Sequence, residues 1–237
     1  MKASPLEFRF RFLLIVLIYV LGFAAPWNYA LHLDTIRTWQ LLAAWLYRAG
    51  WMSFSGATVA ILLFGIVVAL AAALVRTWGS AYLGISIVHS GGLHGELVAA
   101  GPYRWVRNPL YIGTFLLTLA LALLMPPTGA VFCIVGVWLF QLRLIGAEEV
   151  FLGGLLGEPY VGYCARVPRL LPALRPRLAG SDVRPAWGTA FVGEIYMWGV
   201  VVSFAAVGWR YNSLLVIQGV VISLGVSLVA RAFLPKR

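Results

Sequence analysis

The sequence predicts an all-α fold, a polytopic transmembrane bundle of about six helices forming one compact membrane domain. Of its 237 residues, 62% are hydrophobic and only 11% are charged, and the mean hydropathy is +0.90. Soluble domains carry roughly 25% charged residues. Uncharged runs near the roughly 20 residues that a helix needs to cross a bilayer recur along the chain. These observations exclude an ordinary soluble domain.

Six apolar runs are predicted to cross the membrane. They are residues 12–31, 56–75, 109–125, 128–142, 185–209 and 212–230. The first is retained as a helix because it is long and lacks a convincing signal-peptide cleavage site. Pro126 and Pro127 are expected to turn the third and fourth runs into a tight hairpin. Glu194 is the one acid inside the fifth run, and we expect it to pair within the bundle, a substrate or proton role being the alternative.

The distribution of basic residues predicts the orientation. With the N-terminus in the cytoplasm, fifteen of the eighteen Lys and Arg residues fall inside and only Arg37, Arg48 and Arg210 fall outside. This bias follows the positive-inside rule. It predicts cytoplasmic termini in a bacterial or archaeal cell membrane. Anionic membrane lipids attract basic residues at about 1 kcal/mol each, so the net charge of +10 predicts no nucleic acid partner.

Spacing of the ligand-forming residues predicts no metal site and no disulfide framework. Cys133 and Cys164 are far apart in sequence, and Cys133 lies in an apolar run. His89 and His94 have no third ligand at a plausible spacing.

Three regions organise the chain. They are the N-terminal helices with an external connection (1–75), a core with the hairpin and two cytoplasmic connections (76–184), and a C-terminal helix pair (185–237). The external connection, residues 32–55, has apolar residues at helical spacing and predicts an interfacial or packing helix. The cytoplasmic connection after the fourth span is expected to begin as a continuation of that helix. The short hairpin returns the chain to the side it left, so the two cytoplasmic connections should meet.

The first motif runs from Gly101-Pro102-Tyr103 to Arg107-Asn108-Pro109-Leu110-Tyr111. Proline is favoured at the first position of a helix, and Asn108 then stands at the N-cap position. A helix N-terminus also presents free N–H groups to a carboxylate or phosphate. The motif therefore predicts a capped helix start and, with Arg104 and Arg107 beside it, an anion-binding site.

The second motif begins with the adjacent acids Glu148 and Glu149, which we expect at the end of an apolar helix. Adjacent carboxylates repel each other unless a cation is near, so an arginine or a cationic ligand is expected, a solvated pair being the alternative. The candidate arginines are Arg104, Arg107, Arg143 and Arg166. Nearby aromatic residues fit an interfacial belt, but as a group they can also surround a cationic sulfonium with their ring faces. These residues are Tyr103, Trp105, Tyr111, Tyr160 and Tyr163.

At these residues the chain resembles the isoprenylcysteine carboxyl methyltransferase and phospholipid methyltransferase families of membrane enzymes. The likeness covers about one hundred residues from Arg76 and is strongest from Val106 to Gly113. It resumes at the acid pair and continues through Tyr160, Tyr163, Arg166 and Pro172. Asn108 replaces the histidine usual in these families, so a proton-transfer role of that histidine is absent. Leu156 replaces a phenylalanine.

The resemblance implies a methyltransferase that uses S-adenosyl-L-methionine and acts on a lipophilic acceptor entering from the bilayer. It assigns cofactor binding to Val98, Gly101, Pro102, Tyr103, Arg107, Asn108, Tyr111, Glu148 and Glu149. It places Arg166 near the transferring methyl group or the acceptor, and an amine acceptor would give its proton to the acid pair, here Glu149, or to water. A carboxylate and an amine acceptor both remain open. A membrane reductase that uses NADPH and a non-enzymatic scaffold or transporter are the alternatives.

Overall fold

The structure is a computed structural model that describes residues 2–33, 36–88, 99–180 and 183–232. The predicted cofactor residue Val98 lies outside these ranges, as do His89 and His94. The described ranges form eleven α-helices and no β-strand. The helices are α1 (Pro5–Arg9), α2 (Arg11–Ala24), α3 (Pro26–Ala30), α4 (Thr38–Arg48), α5 (Phe54–Val88), α6 (Pro109–Ala122), α7 (Pro127–Leu156), α8 (Glu158–Arg166), α9 (Trp187–Gly193), α10 (Ile195–Val202) and α11 (Ser213–Ala232).

Several of these helices identify an integral membrane protein. Four segments in the described ranges are long and apolar enough to cross a membrane, namely Arg11–Ala30, Phe54–Leu83, Pro127–Leu156 and Ser213–Ala230. The α9–α10 pair, bent by 63°, makes a fifth if it is counted as one span, and α6 is a shorter apolar helix. The predicted all-α membrane bundle is therefore confirmed, and α6 is too short to count among the four or five spans.

The end of the second predicted span is wrong, because α5 continues to Val88 instead of ending at residue 75. Arg76 consequently lies inside a helix and not in a loop. Its Nε and one terminal nitrogen contact the Glu194 carboxylate at 2.7 and 3.1 Å. Because the Glu194 carboxylate neutralises the Arg76 guanidinium, this charged residue can lie between packed helices. The same contact confirms that Glu194 pairs within the bundle.

The predicted hairpin between α6 and α7 is confirmed, and α7 begins at Pro127. The predicted external helix is also present as α4. Its first residues cover the hairpin turn, because the N–H groups of Thr38 and Trp39 donate to the carbonyl oxygens of Met125 and Leu123 at 2.9 and 3.0 Å. The α6–α7 turn is thus fully buried beneath α4.

The fourth predicted span is much longer than residues 128–142, since α7 runs for 30 residues to Leu156. Glu148 and Glu149 therefore lie in the last turns of this helix, as expected, although the helix continues beyond them to Leu156. The continuation of the helix beyond the membrane run is confirmed. Gly157 ends it with φ of +61°, a conformation that glycine adopts without strain, and α8 follows at once.

Candidate functional site

A cavity of about 770 Å³ lies where α6 begins and α7 ends. Its volume is within the range typical of small-molecule pockets. The described residues that line it come from the N-terminal segment, the end of α5, the turn before α6, the first turn of α6, the last turns of α7 and α8. Most of the wall is apolar, and the polar side chains gather on the α6–α7 side. The cavity therefore joins an apolar compartment to a charged one.

The two sequence motifs meet at Glu149. A terminal nitrogen of Arg107 lies 2.8 Å from Glu149 Oε1, and a terminal nitrogen of Arg169 lies 2.6 Å from Oε2. Arg169 Nε also donates to Oε1 at 3.1 Å. Both carboxylate oxygens of Glu149 are thus occupied by guanidinium groups. The predicted meeting of the two connections over one end of the bundle is confirmed.

Of the four arginines expected near the acid pair, the structure brings only Arg107 into contact with it. Arg143 binds Glu7 instead, at 2.7 Å. The Nε groups of Arg104 and Arg166 donate to the backbone carbonyl oxygens of Leu178 and Gly162. Arg169 was missed in the sequence, because it is one of several arginines in a proline-rich segment and no spacing rule distinguishes it.

Glu148 has different surroundings although it is the next residue in the chain. Successive helical side chains point about 100° apart, and Glu148 lines the cavity beside Tyr111. No salt bridge involves Glu148 in the part of the chain that the structure describes. The Arg11 guanidinium acts on Glu148 electrostatically without forming a salt bridge. A carboxylate in a mainly apolar cavity with no cation in direct contact favours a cationic ligand group.

Arg107 offers a complementary group in the same cavity. Its Nε atom is buried and has no hydrogen-bond partner among the described residues. Buried donors in native proteins are almost always paired, and an unpaired one is unfavourable by about 1–3 kcal/mol. The Nε atom itself is closed off from the cavity surface, and the accessible part of the Arg107 side chain, 16% of its surface, lines the cavity and carries the positive charge there.

Three tyrosines, Tyr103, Tyr160 and Tyr163, form part of the cavity wall next to apolar residues. The Tyr163 hydroxyl donates to the Tyr103 carbonyl oxygen at 2.9 Å, and the Tyr160 and Tyr163 ring centroids are 5.9 Å apart. Burial raises the pKa of the Tyr103, Tyr160 and Tyr163 hydroxyls above the ordinary value. They remain neutral at physiological pH. Because the Tyr103 and Tyr163 hydroxyls already donate to carbonyl oxygens, the group offers a ligand mainly its ring faces.

The predicted capping role of the Asn108 side chain is wrong. Asn108 occupies the residue before Pro109 as expected, but its side chain makes no cap hydrogen bond. Its Nδ2 group instead donates to the Arg169 carbonyl oxygen at 3.0 Å. Asn108 therefore ties the α6 start to the segment after α8, a contact between residues that are distant in sequence.

The structure sorts the predicted site residues by position. Those that line the cavity are Tyr103, Arg107, Asn108, Tyr111, Glu148 and Glu149. Gly101 and Pro102 form a 3₁₀ turn behind the wall and do not belong to the described lining. Gly101 has φ of +53°, and a side chain there would overlap the Tyr82 ring. Arg166 is exposed and outside the described lining.

The sequence reasoning also missed the N-terminal segment, since Ser4 and Phe8 line the cavity. The Ser4–Glu7 spacing is a capping-box signal, and the structure contains that box at the start of α1. The signal predicts a helix start but not where the helix docks. Docking depends on Glu7 binding Arg143 and on the Ala3 N–H donating to the Arg143 carbonyl oxygen at 3.0 Å.

Comparisons with known proteins confirm the resemblance over part of the chain. Residues 51–158 match the family model described as phospholipid methyltransferase. The Protein-S-isoprenylcysteine O-methyltransferase of Mus musculus is 35% identical over 81 residues, which are 33% of this chain and 28% of that relative. The Homo sapiens enzyme of the same name is 35% identical over 80 residues, with the same shares.

The chain thus matches about 28% of the length of these curated relatives. No solved structure matches it significantly. The family match contains Arg107, Glu148 and Glu149 and ends at the start of α8, before Tyr160 and Arg169.

Proposed function

We propose that this integral membrane protein is a methyltransferase that uses S-adenosyl-L-methionine and acts on a lipophilic acceptor. The observation that carries the proposal is the cavity at the α6–α7 end of the bundle. It combines a carboxylate outside the described salt bridges, a guanidinium group and an apolar wall. Its charged residues lie within the segment that matches the phospholipid methyltransferase family.

The charged side of the cavity fits the amino-acid portion of this cofactor. The Arg107 guanidinium suits a carboxylate, and Glu148 suits an ammonium group. The ring faces of Tyr160 and Tyr163 suit a positively charged sulfur. When bound, the cofactor supplies an electrophilic methyl group on that sulfur. Glu149, whose two oxygens are engaged, holds Arg107 in place.

The apolar side of the cavity fits the acceptor. Phe8 contributes from the N-terminal segment, and Phe151 and Leu155 lie at the cavity edge with 68% and 63% of their surfaces exposed. An exposed apolar edge on a membrane protein suits sideways entry of a lipophilic molecule from the bilayer. Alignment of donor and acceptor in the cavity then supplies the main rate enhancement.

Proton handling distinguishes the two acceptor classes. A carboxylate acceptor is already ionised and needs no base, whereas an amine must lose a proton. Glu148 is better suited than Glu149 to accept that proton, because Glu149 is held by two arginines. Arg166 is not required by this arrangement, since it lies outside the described lining.

Calorimetry with the purified protein in nanodiscs tests the proposal. S-adenosylmethionine and S-adenosylhomocysteine should bind, and NADPH should not. Arg107→Lys retains a positive charge near Glu149 but removes the planar guanidinium group and its several donors. Loss of a hydrogen bond to a charged group should weaken cofactor binding about ten- to a hundredfold. Arg48→Lys, at an exposed position on α4, is the matched control and should bind normally.

Binding of NADPH alone would assign the cavity to a reductase. A folded protein that binds none of the three compounds would refute cofactor binding. Undiminished binding to Arg107→Lys would refute the assigned role of this arginine.

A further inference from the structure

A segment after α8 is fastened to the base of the cavity. We call residues 168–178 the strap. Its backbone hydrogen bonds to the turn before α6 are Arg107 N–H to Pro168 O at 2.9 Å, Ala173 N–H to Trp105 O at 2.9 Å and Arg177 N–H to Arg104 O at 2.8 Å. Side chains add the Asn108 and Arg104 bonds to the backbone of Arg169 and Leu178. The strap is therefore a fixed part of the fold.

Two leucines of the strap point away from the protein. Leu171 is 83% exposed and Leu174 is 96% exposed. Both lie outside the helices that cross the membrane. The lipid-facing apolar surface that such helices need therefore does not explain why these two leucines are exposed. The burial of a leucine side chain is worth roughly 1.5–3 kcal/mol. An apolar environment next to the strap would therefore be strongly favourable.

Two arginines follow these leucines in the strap. Arg175 and Arg177 are exposed, and neither forms a salt bridge within the described ranges. The two other charged groups in the same region, Arg169 of the strap and Glu149 of α7, already form a salt bridge with each other. The strap thus presents unpaired positive charge beside exposed apolar side chains, a combination typical of membrane-surface segments.

The depth of the strap follows from the length of α6. This helix has 14 residues and is about 21 Å long at 1.5 Å per residue. The hydrocarbon core of a bilayer is about 30 Å thick. The turn to which the strap is fastened directly precedes α6, so the strap lies at the boundary between hydrocarbon and head groups rather than far out in water.

We propose that the strap binds the surface of an anionic membrane leaflet. Leu171 and Leu174 enter the hydrocarbon boundary, and Arg175 and Arg177 bind lipid phosphate groups. The charge, the exposed leucines and the depth together favour a lipid surface over a second protein. The same strap carries Arg169, so its seating on the membrane also supports the Glu149 side of the cavity.

Fluorescence in nanodiscs tests the proposal and needs no cofactor, so it is independent of the proposed methyltransferase activity. Leu174→Cys is labelled with an environment-sensitive dye in a Cys164→Ser background, while the fully buried Cys133 is left in place. The dye is quenched with head-group-proximal spin-labelled lipid or with aqueous iodide. We expect lipid quenching and iodide protection, both greater with phosphatidylglycerol present than with phosphatidylcholine alone.

Neutralising the two arginines isolates the role of charge. Two basic residues at an anionic surface should change the ratio of protein with a membrane-bound strap to protein with a strap in water by about thirty-fold. The R175Q/R177Q variant should therefore lose most of the effect of phosphatidylglycerol on quenching. The matched control R48Q/R210Q removes two exposed arginines elsewhere and should retain it.

Equal iodide quenching in both lipid compositions would overturn the proposal. Iodide protection without lipid quenching would also overturn it, because the leucines would then be covered by protein. A label at Leu171→Cys repeats the measurement at a second position and guards against a local effect of the dye.

Discussion

The buried ion pair between α5 and the α9–α10 break provides the sharpest test of the fold. Glu194 is 4% exposed and accepts hydrogen bonds from Arg76 and from the Ser80 hydroxyl at 2.6 Å. Arg76 also donates to the Leu110 carbonyl oxygen at 3.3 Å, in the first turn of α6. We predict that Glu194→Leu destabilises the protein strongly, because it leaves the Arg76 charge buried without a carboxylate.

The size of the effect follows from this burial. Removing one partner of a buried ion pair is unfavourable by about 3–5 kcal/mol. Arg76 keeps its bond to Leu110 and its side chain is 18% exposed, so we expect the lower end, about 3 kcal/mol. At about 2–4 °C per kcal/mol for a chain of this length, the unfolding midpoint should fall by about 6–12 °C.

Thermal unfolding in detergent, followed by intrinsic tryptophan fluorescence, measures this shift. Replacing both partners, as in Arg76→Met with Glu194→Leu, should restore much of the stability, because no uncompensated charge remains. Glu7→Gln removes the more exposed pair with Arg143 and serves as the control, with only a small shift. A double variant as unstable as Glu194→Leu would refute the reasoning, as would an unchanged midpoint for Glu194→Leu.

Three further predictions concern the cavity and the bundle. Glu148→Gln should weaken S-adenosylmethionine binding by about tenfold or more in calorimetry, because a charge-assisted contact is lost, while the unfolding midpoint stays unchanged. Gly129→Ala should destabilise the protein by about 1–3 kcal/mol in thermal unfolding, because its new methyl group meets the Gly22 carbonyl oxygen. The Arg143 guanidinium lowers the pKa of Glu7 to about 2 from the ordinary 4.5. Docking of α1 should therefore be fully stabilised above pH 4.5 and weaken as the pH falls towards 2, which amide hydrogen exchange of α1 measures.

Each of these predictions has a contradicting outcome. Equal cofactor affinity of Glu148→Gln and the unmodified protein would remove Glu148 from the site. Gly136→Ala is the control for Gly129→Ala, since its methyl group would make an ordinary 3.4 Å contact with Ile18; equal stability of the two variants would contradict close helix packing. The third prediction requires that the protection factor of the α1 amides, which is the exchange rate corrected for the intrinsic rate at each pH, falls towards pH 2 in the original protein and stays constant in the Glu7→Gln variant.

The elements that the sequence predicted well depend on local signals. Pro126 and Pro127 mark the hairpin turn, and this hairpin alone is enough to bring Arg107 towards the acid pair. The ends of α5 and α7 were wrong because a charge was interpreted as a helix boundary. The carboxylate that neutralises Arg76 lies 118 positions away, and no local pattern announces it.

The remaining site contacts were missed for the same reason. Arg169 reaches Glu149 only because the strap is fastened to the turn before α6, and Phe8 reaches the cavity only because α1 docks on Arg143. Both depend on tertiary contacts whose partners are distant in sequence. The resemblance to known families indicated the region but not the geometry that separates the two acids.

That separation has a consequence for how variation at the acid pair should be interpreted. Glu149 has a structural role, since its charge holds two guanidinium groups in place. Glu148 instead has a ligand-binding role in the cavity. A random library should therefore return two distinct phenotypes from neighbouring codons. Changes at position 149 should be rescued in part by a second-site change at Arg169, which lies outside the described lining. Changes at position 148 should be rescued only by a ligand that lacks the cationic group.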